Sequence, residues 1–164
     1  MLEGAKDMDR LIYRDEFTKG HTSLMNTAAD AGVKDQRDFA DFNNAGYLGL
    51  YNKTAWQLKK GRHLDEKSVL QDYMGRTELA ANLFRVTQTE ERLKQDKVKS
   101  KDAAKATHYQ VARKIRSMVM ENTGKSPENL PVERRLPDVK KELKKGQKLF
   151  DNIDKKKKVK ASKK

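Results

Sequence analysis

Residues 77–95 read TELAANLFRVTQTEERLKQ, a run without glycine or proline. Alanine, leucine, glutamate and arginine are strong helix formers, so the run predicts one long helix. Leu79, Leu83, Val86 and Leu93 recur at helical spacing as an apolar stripe, widened by Ala80 and Phe84. Asn82, Arg85, Thr89 and Arg92, also three and four apart, line up on another face and are expected to form its polar outer stripe. A helix that buries one stripe needs helical neighbours, so this segment sets the expectation for the fold: all-α.

The flanking sequence agrees. Alternation of β-branched residues is missing, so no strand is expected. Asp7 to Thr18 reads as a helix with Leu11, Ile12 and Phe17 inward, stopped by Gly20. Thr22 is placed to cap a second helix to Ala31, with Leu24 and Ala28 on one face and Gly32 just past its end. Asp35 is placed to cap QRDFADFNN, followed by a turn at Asn43, Asn44 and Gly46. Short helices are expected over Thr54–Lys60, ended by Gly61, and after Asp65 in EKSVLQDYM, ended by Gly75. A helix from Ser100 to Asn122 turns His108, Val111, Ile115 and Met118 or Val119 inward, and Gly124 ends it. Pro127, Pro131 and Pro137 are the chain's three prolines and keep 125–137 a loop. Asp138 is placed to cap a last helix over VKKELKKGQKLFDNI.

These boundaries predict a compact domain of six to eight helices: a flexible stretch 1–6, a helical core 7–124, the loop 125–137, a helix 138–153 and a disordered lysine-rich tail 154–164.

The 164 residues carry 37 Lys and Arg against 24 Asp and Glu, a net charge of +13. KKKKVKASKK, residues 155–164, holds seven lysines and no acid, leaving +6 for residues 1–154. The balance favours polyanionic partners through phosphate contacts and counterion release. Cysteine is absent, which rules out disulfides, thiolate metal sites and cysteine nucleophiles within this chain. No apolar run is long enough for a membrane span, and MLEGAKDMDR has no apolar signal region, so a cytoplasmic protein with no membrane partner is expected. The modest apolar share, 35%, leaves room for a homo-oligomer.

TGKS, 123–126, resembles the end of a phosphate loop, but the position five before Gly124 is Val119, inside a helix. Gly124 is therefore read as a helix stop. His21, His63 and His108 form no HxxxH or HExxH spacing, and no nucleophile–base constellation appears. Catalytic residues, metal and cofactor are all expected to be none.

Two segments invite a nucleic-acid reading. LQDYMGRTELAANLFR has the outline of a helix-turn-helix, in which Asn82 and Arg85 could read adenine and guanine edges of double-stranded DNA. An ordinary helical hairpin is the alternative, and Glu78 and Glu90 oppose close approach to phosphate. DFADFNNAGYLGLYNKTAW, 38–56, holds Phe39, Phe42, Tyr47, Tyr51 and Trp56. Phe39 and Phe42 are one turn apart, and Asp38 and Asp41 carry the wrong charge for phosphate, which favours a packed corner. Tyr47, Tyr51 and Trp56 are its best candidates for stacking on bases. Basic candidates are Arg113, Lys114 and Arg116, then Arg134 and Arg135, then Lys155, Lys156, Lys157 and Lys158.

Three strings, DFADFNNAGYLGLY, VLQDYMGRTELAANLFRVTQTEERLK and VARKIRSMVMENTGKSPENLP, resemble in order and spacing the second half of the DNA-damage-inducible protein D (DinD) family. The resemblance covers most of residues 10–137. It implies a non-enzymatic role in the bacterial SOS response, with RecA filaments and single-stranded DNA as partners and strand exchange limited. The family's N-terminal Bro-N-like domain is expected to be absent, and NKTAWQLKKGRHLDEK, after Tyr51, departs from the family in detail.

Overall fold

The computed structural model describes residues 3–162. Among them the chain forms six α-helices: α1 (Glu3–Asp30), α2 (Gln36–Tyr51), α3 (Ala55–Gly61), α4 (Arg76–Gln95), α5 (Lys101–Thr123) and α6 (Leu136–Ala161). Two single-turn 3-10 helices, Leu70–Tyr73 and Pro127–Asn129, punctuate the loops. The described residues contain no strand, only an isolated bridge between Met74 and Val132.

The helix α4 is central. It packs against α1 on one side and α5 on the other, and α2 lies along α5. The apolar interior divides in two. Leu50, Tyr51, Leu58, Met74, Leu79, Ala112, Ile115 and Leu136 form one cluster. Phe17, Leu24, Ala28, Phe42, Val86, Leu93 and Ala104 form the other.

The Asp35 cap and the Gly32 and Gly124 stops act as expected, and the structure adds two further caps at Ser100 and Thr54. Asp35 caps α2 by accepting from the Asp38 N–H, and Ser100 caps α5 by accepting from the Ala103 N–H. Thr54 and Gln57 close a reciprocal capping box on α3. Gly32 and Gly124 take the positive φ that a helix stop requires, +105° and +71°. Gly124 therefore ends α5, as read, and makes no phosphate loop.

Gly20, expected to be a helix stop, and Gly46, expected to be in a turn, both lie inside helices. Gly20 sits within α1, where an added Cβ would lie 3.2 Å from the Val86 Cγ2, so it sets the close approach of α1 to α4. The single helix α1 thus replaces the two expected, and Thr22, its expected second cap, donates to the Thr18 carbonyl mid-helix. Gly46 lies within α2 against His108 and Arg85, and an added Cβ at Gly49 would lie 2.6 Å from the Ala112 Cβ and the Tyr109 carbonyl. Asn43 and Asn44 are likewise helical, so no turn forms there. Residues 65–75 make turns and a 3-10 helix rather than an α-helix, and Gly75 occupies the N-cap of α4.

The ends also differ. α1 is helical from Glu3, so the stretch 3–6 is not a flexible lead. α6 begins at Leu136 and continues to Ala161, through the lysines expected to be disordered. After Gly146 nothing in that segment breaks a helix, and lysine is a good helix former. Residues 1–2, 163 and 164, the ends of the expected flexible stretch and tail, lie outside the described residues. Past Val139 the side chains of α6 are exposed, Leu149, Phe150 and Ile153 among them, so the helix projects from the body.

Arg10, which no sequence pattern singled out, ties the N-terminal half to these loops. It is buried, and its guanidinium donates to the carbonyls of Met74, Asp72 and Arg134 at 2.9, 3.3 and 2.7 Å.

Candidate nucleic-acid interface

Of the expected polar outer stripe of α4, Arg92 is outward, but Asn82, Arg85 and Thr89 face inward. Asn82 and Thr89 are fully buried and Arg85 is 2% exposed. The outward stripe is Ala80, Phe84, Gln88 and Arg92, with Phe84 at 44% exposure. The expectation that Ala80 and Phe84 widen the core is thus reversed, as is the inward placement of the exposed Ile12, while of Met118 and Val119 it is Val119 that is buried.

A chain of polar contacts explains the reversal. Arg62, at the end of α3, grips Glu78 with both terminal nitrogens, at 3.2 and 2.9 Å. The Tyr51 hydroxyl donates to the same carboxylate at 2.5 Å and accepts from the Asn82 amide at 2.7 Å. The Asn82 carbonyl oxygen accepts from Arg85 at 3.1 Å, and Arg85 reaches His108 Nε2 at 2.6 Å. The other ring nitrogen of His108 meets the Phe42 carbonyl at 2.9 Å. The chain joins α3, α4, α2 and α5 through the seam between the two apolar clusters. Each link satisfies a group that would be costly to bury alone.

The chain also fixes proton positions. Arginine can only donate and a carbonyl can only accept. His108 therefore accepts at Nε2, carries its proton on Nδ1 and is neutral. Burial, together with the Arg85 charge, drives its pKa well below the ordinary value. Burial and the neighbouring Glu78 charge likewise push the Tyr51 hydroxyl well up, so it stays protonated and can donate.

An unfolded histidine takes up a proton near pH 6.5, whereas folded His108 stays neutral to lower pH. Below about pH 6.5 the unfolded state binds more protons, so this contribution is full above that pH and falls below it. Its slope approaches about 1.4 kcal/mol per pH unit. Urea unfolding between pH 7.5 and 5.5 should show the decline, and ring nitrogen chemical shifts should show a neutral, Nδ1-protonated His108 at pH 5.5. A charged ring at that pH would contradict the assignment.

Burial corrects several sequence-based site assignments. Asn82 and Arg85 cannot read base edges from the interior, which removes α4 as the recognition helix of a helix-turn-helix through these residues. Tyr51 is fully buried, and Tyr47 is half-buried, stacked on Tyr51 with the Arg85 guanidinium 5.3 Å from its ring centre. Neither offers a free face to a base, and the stretch from Phe39 to Tyr51 is the packed corner that its spacing favoured. Arg116 is 8% exposed, paired to Glu128 at 2.5 and 2.9 Å and bonded to the Leu50 carbonyl. It braces the loop after α5 rather than a ligand.

Other candidates remain at the surface. Arg134 and Arg135 are exposed and pair with Glu142 and Asp138. Lys114 is exposed on α5, and Lys155, Lys156, Lys157 and Lys158 are exposed on α6. Trp56 is 56% exposed, and Lys60 stands 5.0 Å from its ring centre. Arg113, exposed on α5, donates to the Asn52 side chain at 2.6 Å and lies 6.0 Å from the ring centre of Tyr109, which is 42% exposed. Asn52, Lys53, Trp56 and Lys60 line one shallow cleft. Trp56 and Arg113 therefore converge, 57 positions apart in the chain, on one corner of the molecule. Tyr109 was not foreseen, although its place one helical turn before Arg113 was a usable signal.

Among the described residues, no helix is long and apolar enough to cross a membrane, and no cluster of three or more His, Asp or Glu is arranged to hold a metal.

The family model of the DinD C-terminal domain matches residues 4–141. The chain is 46% identical over 130 residues to DNA damage-inducible protein D of Escherichia coli (strain K12). That alignment covers 77% of this chain and 47% of the relative, so the chain spans about half the length of the curated protein it matches.

Proposed function

Because this chain belongs to the DinD family, through its C-terminal domain, we propose that it is a non-enzymatic module of the bacterial DNA-damage response that binds RecA filaments on single-stranded DNA and limits strand exchange. The family match over residues 4–141 carries the reading. The strings that resemble the family in the sequence include those that build the interior. MGRTELAANLFRVTQTEE supplies Glu78, Asn82, Arg85 and Thr89, and GYLGLY supplies Gly46, Tyr47, Gly49 and Tyr51. The resemblance thus reaches the buried network as well as the helix order.

The net charge of +13 supports a polyanionic target. Arg113, Lys114 and the exposed lysines of α6 supply a salt-dependent attraction to phosphate. No hydrolysis is required of the protein. Preferential binding to one state of the filament shifts the population toward that state. RecA catalyses the exchange, and this module acts as a ligand of the filament in the bacterial cytoplasm. A strand-exchange reaction with purified protein at low salt tests the proposal: a slowed reaction is expected, and an unchanged one at stoichiometric protein would contradict it.

A further inference from the structure

We infer that the corner formed by Asn52, Lys53, Trp56, Lys60, Tyr109 and Arg113 is a stacking platform for the bases of single-stranded nucleic acid. The inference rests on the polyanion-directed reading above and adds a site that the family resemblance does not supply. Lys53, Trp56 and Lys60 lie in the stretch that departs from the family pattern.

The surface combines two properties. It presents two exposed aromatic rings, Trp56 at 56% and Tyr109 at 42%. It surrounds them with cations and amides: Lys60 stands over one face of Trp56 and Arg113 over one face of Tyr109, leaving the opposite faces for bases, Lys53 lines the cleft with Trp56, and Asn52 joins the cleft to Arg113. None of the six carries a negative charge. Positively charged grooves with free aromatic faces bind unpaired strands, because every base has a face to stack and every nucleotide a phosphate to neutralise.

The surface is also preorganised. Trp56 stands in the first turn of α3, which the Thr54–Gln57 capping box holds. Asn52 takes the left-handed conformation at the end of α2, with φ of 56°. That conformation suits asparagine and ends the helix beside Arg113. The approach of α2 to α5 at Gly49 brings Asn52 and Arg113 together. Duplex DNA fits less well, since its bases are already stacked and leave the rings without a partner.

Trp56 is the only tryptophan, so its fluorescence reports stacking directly. Titration with oligo(dT) should quench it, and duplex of equal length should quench it far less. Trp56→Ala should weaken binding of a labelled oligo(dT), followed by anisotropy, about tenfold to a hundredfold, with Tyr109→Ala in the same direction. Three cationic contacts predict that log K falls with log salt with a slope of about −2. Trp56 and Tyr109 are exposed, so both variants should match the parent protein in circular dichroism and urea unfolding.

Oligo(dT) binding without quenching, or with unchanged affinity in Trp56→Ala, would overturn the platform, as would no binding at low salt. If oligo(dT) fails to bind while strand exchange is still slowed, the platform falls and the RecA-directed function stands. If oligo(dT) binds with quenching while exchange is unaffected, the platform stands and that function falls.

Discussion

Replacing Glu78 by alanine should lower the unfolding free energy by about 3–5 kcal/mol, the cost of leaving one member of a buried ion pair alone. The Glu78 and Arg62 side chains are only 2% and 4% exposed. Without the carboxylate, Arg62 is a buried cation with no counter-charge, and the Tyr51 hydroxyl loses its acceptor. The exposed pair Arg92–Asp96 has nearly the same separation, 2.8 against 2.9 Å, but side-chain exposures of 52% and 45%. Arg92→Ala should therefore cost less than about 0.5 kcal/mol. The contrast isolates burial as the deciding quantity. Glu78→Gln should fall between, since it keeps hydrogen bonds and loses charge. Urea unfolding of the three variants checks the ranking. A Glu78→Ala protein as stable as the parent would show that the stripe is not interior.

The second large effect is expected at Gly46. An added Cβ there would collide with the His108 ring and lie 2.7 Å from Arg85 Nη1. Both neighbours are fixed by hydrogen bonds, so α2 and α5 must move apart, at a cost of about 3 kcal/mol. The size of the cost reflects the two fixed partners rather than the methyl itself. Gly146→Ala, on the exposed part of α6, meets nothing within 4 Å and should instead stabilise slightly. Combining Gly46→Ala with His108→Ala should destabilise by less than the sum of the single changes, because truncating the ring removes part of the clash. Strict additivity in a double-mutant cycle would contradict the contact.

The helical character of the chain was legible from residues 77–95 and from its caps. Asp35 caps the helix that local sequence assigns it, helices start at Ser100 and Thr54 as expected, and Gly32 and Gly124 are true stops. Gly20 and Gly46 were misplaced because a glycine that ends a helix or makes a turn and one that admits a neighbouring helix look alike in one sequence. Only the packing partner, Val86 for one and His108 with Arg85 for the other, tells them apart.

The faces of α4 were only partly legible, for a related reason: Leu79, Val86 and Leu93 are buried as expected, but Asn82, Arg85 and Thr89 are buried too, and Ala80 and Phe84 face outward. Apolar and polar stripes recur at the same spacing, so periodicity alone does not decide which faces inward. Glu78, Asn82 and Arg85 are buried where Arg62, Tyr51 and His108 arrive from other elements to bond them, and Thr89 donates to the Arg85 carbonyl within α4 itself. An inward His108, which was expected, needs polar company, and that was the available clue. Trp56 and Arg113 could each be nominated singly. Their convergence depends on α2 approaching α5 at Gly49, a contact far apart in sequence, and Tyr109 becomes visible only through it. The lysines at 155–158 were legible as basic but not as helical, because charge density alone does not distinguish a solvated helix from a coil.

Strand exchange by RecA, titrated with this protein at low salt, tests the functional proposal most directly. The rate should fall progressively as the protein approaches stoichiometry with RecA, and it should recover as added salt weakens the basic surface's hold on phosphate. A rate that stays flat across the titration would contradict a role at the filament.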